Sequence, residues 1–524
     1  MDDKPLSGRA EALISSFEKE EPTNRDKKIS VNPVVSKVAS MYEKLRTAMD
    51  YRDEELILRA AIERILKRRI LFGGIGKTIA EPLVRELVWA RYFPDESVSE
   101  LIVEKVQKKI ELYLTLRENI LKQHPKILEK TVNQWINQLL SSDIEHLLAP
   151  RRKKEAMSNF MFNVIRPYIK IEDQDEETRD VQVFIAVRKA YAHDDLPFLR
   201  YQLFNQYFGE LSDENLASVS ENFVKGYEEI NKQLKHPRKD KIINYVKDKT
   251  VVFFILEDLL NIEQGRVRRL YKDETELRKA VYTICQARYG GIASKVRRAI
   301  VRSVIFILLT KAFFAIAIEG TYETIFYGRI LWTSTIINIG VPPFLMAFIG
   351  LMIRTPDREN TKRIFNYTQS ILINGDPGFA KQLTVRITPE KIKPVLNTIF
   401  TILWIATFLI AFGAIFYILN WLHFNPLSMA IFVFFLAIVS FLSYRINQTS
   451  KIYSIEGRKS VTAPILDFIF IPFVRVGRKL TEGISQINIF MYLLDFIFEA
   501  PFKGLFGFFE QWFLFLQNKR EELE

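Results

Sequence analysis

The chain has 524 residues, 48% of them hydrophobic, and 74 Lys and Arg against 62 Asp and Glu, for a formal charge of +12. Its single cysteine, Cys285, excludes an intrachain disulfide and fits a reducing compartment. Such a basic balance can mark a nucleic-acid face, but here the charges crowd beside long apolar runs (Lys295, Arg297 and Arg298; Arg354, Arg358, Lys362 and Arg363; Arg445, Lys451, Arg458 and Lys459), where they hold loops in the cytosol and meet anionic headgroups. Membrane lipid, not nucleic acid, is therefore the expected partner.

Residues 1–30 are polar, with neither a basic nor an apolar leader segment, and read as a disordered tail rather than a signal peptide. Residues 31–171 read as a cytosolic helical unit, with apolar residues at spacings of three and four over 54–70, 81–92, 98–116 and 127–148. Inside this unit FGGIGKT, Phe72 to Thr78, matches the end of a phosphate-binding loop, with Gly73, Gly76, Lys77 and Thr78 in the places that would cradle phosphate and magnesium. The full pattern asks for glycine at position 71, which is Leu71, and a strand before the loop, where a helical pattern stands instead. The segment therefore reads as a glycine helix end and a short link. The apolar run VVFFILED, 251–258, then reads as the buried side of a helix rather than the strand of a nucleotide site.

The acidic stretch 172–180 reads as a linker to a second helical unit over 181–298, with helices at 181–191, 196–208, 214–234, 241–261 and 276–288, and start signals at Asp195, Ser212 and Asp273. Five scattered histidines (124, 146, 193, 236 and 423) lack metal-ligand spacing, and nothing activates the cysteine. No catalytic constellation, metal or cofactor is expected.

A helix needs about 20 apolar residues to cross the hydrocarbon core. Segments 300–318, 330–352, 396–419 and 427–444 meet that length and predict an all-α membrane protein with four spans. Their flanks alternate between basic and weakly charged, which puts both termini and the loop 354–393 in the cytosol, at the plasma (inner) membrane. Lys311 lies inside the first span, either lining an ion or substrate path, or snorkelling or pairing with a carboxylate such as Glu319 or Glu323. Pro342 and Pro343 predict a kink in the second span. In the cytosolic loop, SILIN and LTVRIT around the turn 375–378 suggest a small β-hairpin.

Beyond the fourth span, residues 446–524 read as amphipathic helices broken at Pro464, Pro472 and Pro501 and lying in the membrane interface. In the last of them Phe502, Phe506, Phe509, Trp512, Phe513 and Leu516 share one face, set against lipid or against another subunit. The leading functional expectation is a membrane scaffold or assembly protein whose cytosolic helices bind protein partners. The alternatives are a transporter or channel subunit using Lys311 and the Pro342/Pro343 break, with a path between subunits of a homo-oligomer, and a membrane-bound NTPase using the degenerate loop.

Overall fold

The structure, a computed structural model, describes residues 5–18, 29, 31, 36–37, 39–41, 43, 54–71, 74–353, 355–386, 394–455, 463–486, 508, 512 and 515–516. The described chain is mainly helical, with two three-residue strands, and it falls into two compact units. One unit takes Met1–Ala10, Asp248–Ala380 and Arg386–Asn488; the other takes Glu11–Lys247, Lys381–Val385 and Ile489–Glu524.

The division differs from the one drawn from composition. The acidic stretch 172–180 separates nothing. On its N-terminal side Ile169–Ile171 (β1) pairs in parallel with Leu383–Val385 (β2), with Ile169 opposite Leu383. On its C-terminal side Asp175 accepts the Thr178 amide at 2.9 Å and caps the helix Glu176–Ala190. Burial of Ile169 and Ile171 ties this segment into the helical unit. The boundary falls instead between Lys247 and Asp248, where the single helix expected over 241–261 is two, Lys239–Lys247 and Thr250–Glu263. The polar opening is also not wholly unstructured: Gly8–Glu18 is a helix, because Ala10, Leu13, Ile14 and Phe17 recur at helical spacing and are buried.

The core of the helical unit is built from facing apolar stripes of Glu100–Gln123, Glu129–Leu148, Leu196–Phe208 and Leu216–Leu234. Trp135 meets Phe223 edge-on at 6.0 Å, and the Arg200 guanidinium lies 5.1 Å from the Trp135 ring. Asp195 caps as expected, accepting from Phe198 N at 3.0 Å. Ser212 does not cap: its amide donates to Asn215 Oδ1 at 2.9 Å and the helix starts at Leu216.

Buried charges in this unit are paired with opposite ones. Arg59 meets Glu63 and Asp195 at 2.6 Å each, Arg188 holds Asp194 at 2.5 Å, and Arg151 pairs with Glu145. Burial still pushes Glu145 up to about 7 from an ordinary value of 4.5, against the pull of Arg151, and raises Asp143 and Asp194 for the same reason.

The membrane unit holds four helices long and apolar enough to cross a bilayer: the outer part of Glu274–Tyr327, then Trp332–Met352, Thr398–Trp421 and Pro426–Ser450. The first is longer than its apolar run. Glu274–Phe314 is one α-helix of 41 residues, about 60 Å, which passes through Gly290 and Gly291 because Ile292 and Val296 continue its buried stripe. Asp273 caps it, accepting the Thr275 amide at 2.8 Å. Cys285 is buried within it.

Among the described residues the segment between the second and third spans forms no hairpin. SILIN closes the helix Arg358–Asn374, which starts at the Asp357 cap and stops where Gly375 takes φ +70°, and only LTV is a strand, the β2 that pairs with β1. The helix Ala463–Gln486 continues through Pro472 and packs on the third and fourth spans, so this amphipathic segment covers protein. Phe473 is buried with its ring 4.6 Å from that of Phe412, and Arg475 lies 5.5 Å from the Trp404 ring. Phe502, Phe506, Phe509 and Phe513 lie outside the described residues; Trp512 and Leu516 are helical and exposed.

Two predictions follow from this packing. A Cβ on Gly477 would stand 2.0 Å from the Ala437 carbonyl oxygen, so Gly477→Leu should destabilise the membrane unit by about 1–3 kcal/mol, read as a lowered Tm of the detergent-solubilised protein. Glu145 supplies the second. Its folded-state value exceeds the unfolded one, so its contribution is complete below about pH 4.5 and lost as pH rises toward 7. Glu145→Gln should therefore flatten the dependence of Tm on pH across that interval, and an unchanged slope would refute the assignment.

Candidate functional site

Six polar residues meet among the spans with almost no exposure: Lys311, Glu319, Glu323, Asn338 and Ser428 at 0% and Asn425 at 4%. In lipid each such group requires partners from the protein, because water is not there to supply them.

Local geometry begins with the first span. Lys311 lies near the end of its α-helix, and Ala315–Gly320 is a π-helical turn that runs on into Thr321–Tyr327. At roughly 100° per residue, position 319 of an unbroken α-helix would stand about 80° round from position 311. The wider π turn advances less per residue and returns Glu319 to the face of Lys311. The ammonium then lies 3.3 Å from Glu319 Oε1 and 4.7 Å from the centroid of the Phe435 ring. Of the two carboxylates named from the sequence, Glu319 takes the lysine; Glu323 has other partners.

Those partners are helix starts. Glu323 Oε2 accepts the amide of Leu331, the residue just before the second span, at 2.8 Å. Glu323 Oε1 accepts from Asn425 Nδ2 at 2.7 Å, and Asn425 itself caps the fourth span by accepting the Ser428 amide at 2.8 Å. The positive ends of two helix dipoles therefore converge on a carboxylate that has no lysine or arginine of its own. Glu319 Oε2 completes the network, accepting from Asn338 Nδ2 at 2.5 Å and from Ser428 Oγ at 3.2 Å.

Formal charges do not balance: one ammonium faces two carboxylates. One acceptor is also left over, since Asn338 Oδ1 is buried with no donor. Beside the π turn runs a groove of about 490 Å³, lined by Ala315, Gly320, Thr321, Thr324, Trp332 and Thr335 among others.

Pro342 and Pro343 are buried within Trp332–Met352, whose helical path runs through them without a break. Their effect lies one turn earlier. An amide at position 342 would donate to the carbonyl of residue 338, and proline has none to give. The backbone oxygen of Asn338 thus lacks its regular donor, beside a side-chain oxygen that also has none.

Gly73 lies outside the described residues, and Gly76, Lys77 and Thr78 are not arranged as a cradle. The helix Glu54–Leu71 stands where a strand would be required, and Lys77 is exposed. Thr78 Oγ1 accepts the Ile75 amide and donates to its carbonyl, both at 2.9 Å, closing the first helical turn. The Glu111 carboxylate, 2.5 Å from where a Gly76 Cβ would stand, puts negative charge where phosphate would need donors.

Sequence reasoning missed Asn338, Asn425 and Ser428. For two of them a signal existed: Asn425–Pro426 opening an apolar run is a helix start, and Asn338 interrupts a run of isoleucines.

If the ion pair holds the spans together, Lys311→Met should lower stability by about 3–5 kcal/mol by leaving Glu319 buried and uncompensated, and adding Glu319→Gln should recover most of that loss. A double variant no more stable than Lys311→Met would contradict the coupling. No family model, curated protein or solved structure matches this chain.

Proposed function

We propose that this chain is a multi-pass membrane protein of the plasma (inner) membrane that translocates an ion, with both termini cytosolic and the Lys311–Glu319–Glu323 cluster as its ion-handling site. One observation carries the reading: three ionisable side chains are wholly buried among helices apolar enough to be surrounded by lipid. Leucine and phenylalanine would fasten the same helices with no charge to desolvate, so charge kept at such a position points to charge moved there. The π turn under Glu319 supports it, since such turns occur often at working sites. The alternating basic flanks support the orientation.

A second reading, a membrane scaffold binding protein partners through its cytosolic helices, draws support from β2. That strand comes from the segment between the second and third spans and belongs to the compact helical unit, which is thus joined to the spans by more than one stretch of chain.

In proteoliposomes the wild type should pass H⁺, Na⁺, K⁺ or Cl⁻ faster than empty vesicles, and Lys311→Met/Glu319→Gln should fold and lose that flux. Absence of flux for all four ions would remove translocation. A photo-crosslinker at the exposed Leu101 that captures a neighbouring polypeptide in native membranes would then favour the scaffold.

A further inference from the structure

Beside the π turn an open groove is lined by Ala315 and Gly320, which carry little or no side chain, and by Ile316, Ile325 and Trp332, which are 75%, 71% and 66% exposed. Thr321, Thr324 and Thr335 line it too, yet each hydroxyl donates to the carbonyl four residues earlier, on Ala317, Gly320 and Leu331 at 3.0, 2.7 and 3.1 Å. With those hydrogens engaged inside the helices, the groove presents mostly hydrocarbon to whatever enters it. Aromatic rings mark its level. Tyr322 lies 4.6 Å from Phe326 and 6.2 Å from Tyr327, and Phe326, Tyr327 and Trp332 are exposed; tyrosine and tryptophan gather where acyl chains give way to headgroups. Gly328 then ends the helix at φ +65°, and the exposed Arg329 follows. Glu323 bonds to Asn425, so the turns 328–331 and 422–425 lie at one end of the membrane unit, and Arg329 is the one lysine or arginine in either. Glu323 itself is buried with both oxygens engaged and gives Arg329 no counter-charge.

We propose that the groove binds one anionic glycerophospholipid of the bilayer, with an acyl chain along Ala315 and Gly320 and the headgroup phosphate on Arg329. The groove opens on helices apolar enough for lipid to surround them, and a chain of methylenes fits a lining where a water-soluble ligand would find few donors. At the headgroup level a guanidinium can meet two phosphate oxygens at once. In the orientation proposed above, a basic residue at this end works against the charge pattern that sets the topology, and a phosphate gives that residue a partner. A headgroup of net negative charge suits Arg329, whereas choline would set a second cation beside it. The site needs the spans to lie in lipid and does not depend on translocation.

The test uses the full chain in detergent, titrated with phosphatidylglycerol or phosphatidylcholine whose acyl chains carry bromine, a quencher of tryptophan fluorescence. Phosphatidylglycerol should quench in a saturable way, and Trp332→Phe should remove the saturable component. Thr324→Phe, which fills the groove from an exposed position, should raise the half-saturating concentration on the order of tenfold, and Arg329→Gln should erase the preference for phosphatidylglycerol over phosphatidylcholine. Should Thr324→Phe fail to fold, Thr321→Phe, also at an exposed position, takes its place. Quenching that only rises in proportion to added lipid overturns the site, as does a saturable component that Trp332→Phe or the groove-filling variant leaves unmoved. A lipid preference unchanged in Arg329→Gln overturns the headgroup contact. A photo-crosslinker at the exposed Ile325 that joins two copies of the chain in native membranes puts a second subunit in the groove and overturns lipid as its occupant.

Discussion

A carboxylate buried among apolar helices must be met by donors from the chain itself, and the membrane unit is arranged around meeting two of them. Glu319 requires Lys311 on its own face of the helix, which an α-helical path would not provide, and so the first span carries a π turn at Ala315–Gly320. Glu323 requires amides that have no other partner, and helix starts are where such amides are found. The second and fourth spans accordingly begin beside it, at Leu331 and Asn425. The packing of the first, second and fourth spans against one another thus has a polar cause as well as an apolar one.

The helical unit meets the same requirement with different residues. Most of its buried carboxylates face arginines: Glu63 and Asp195 on Arg59, Asp194 on Arg188, Glu145 on Arg151; Asp143 faces Lys109 instead. A guanidinium presents several donors in a fixed fork and can serve two carboxylates at once, as Arg59 does. The Arg151 and Arg188 guanidinium groups also lie 5.7 and 5.6 Å from the Phe198 ring, so they are set over an aromatic face as well as paired. In the membrane unit one lysine and two helix ends do this work, and they leave an oxygen over. The contrast is between carboxylates met mainly by guanidinium groups and carboxylates met by one lysine and two helix starts.

What the sequence discloses follows the range of each interaction. Span length and the apolar stripes of the soluble helices are local properties, and so are the caps at Asp195 and Asp273; all are readable from spacing. The pairing of Lys311 with Glu319 is nearly local, and the shortage of other carboxylates in the spans narrows it to two residues. The rest depends on contacts between distant segments. Nothing near Asn425 announces Glu323, and nothing in LTV announces Ile169–Ile171. The need for glycine at position 477 comes from the Ala437 carbonyl packed against it. At the two prolines the rule that predicts a kink leaves out a second consequence, the donor missing from Asn338.

That consequence links the fold to the proposed chemistry. A span with alanine at position 342 would keep its hydrogen-bond ladder complete, and the only orphan oxygen left at Asn338 would be in the side chain. With proline there, two oxygens of one residue are short of donors at the depth where Glu319 accepts from the same residue's amide nitrogen. Apolar packing gains nothing from such an arrangement, and backbone satisfaction loses by it. Both oxygens belong to the residue that donates to Glu319, so they stand next to the Lys311–Glu319 pair on which the proposed translocation rests.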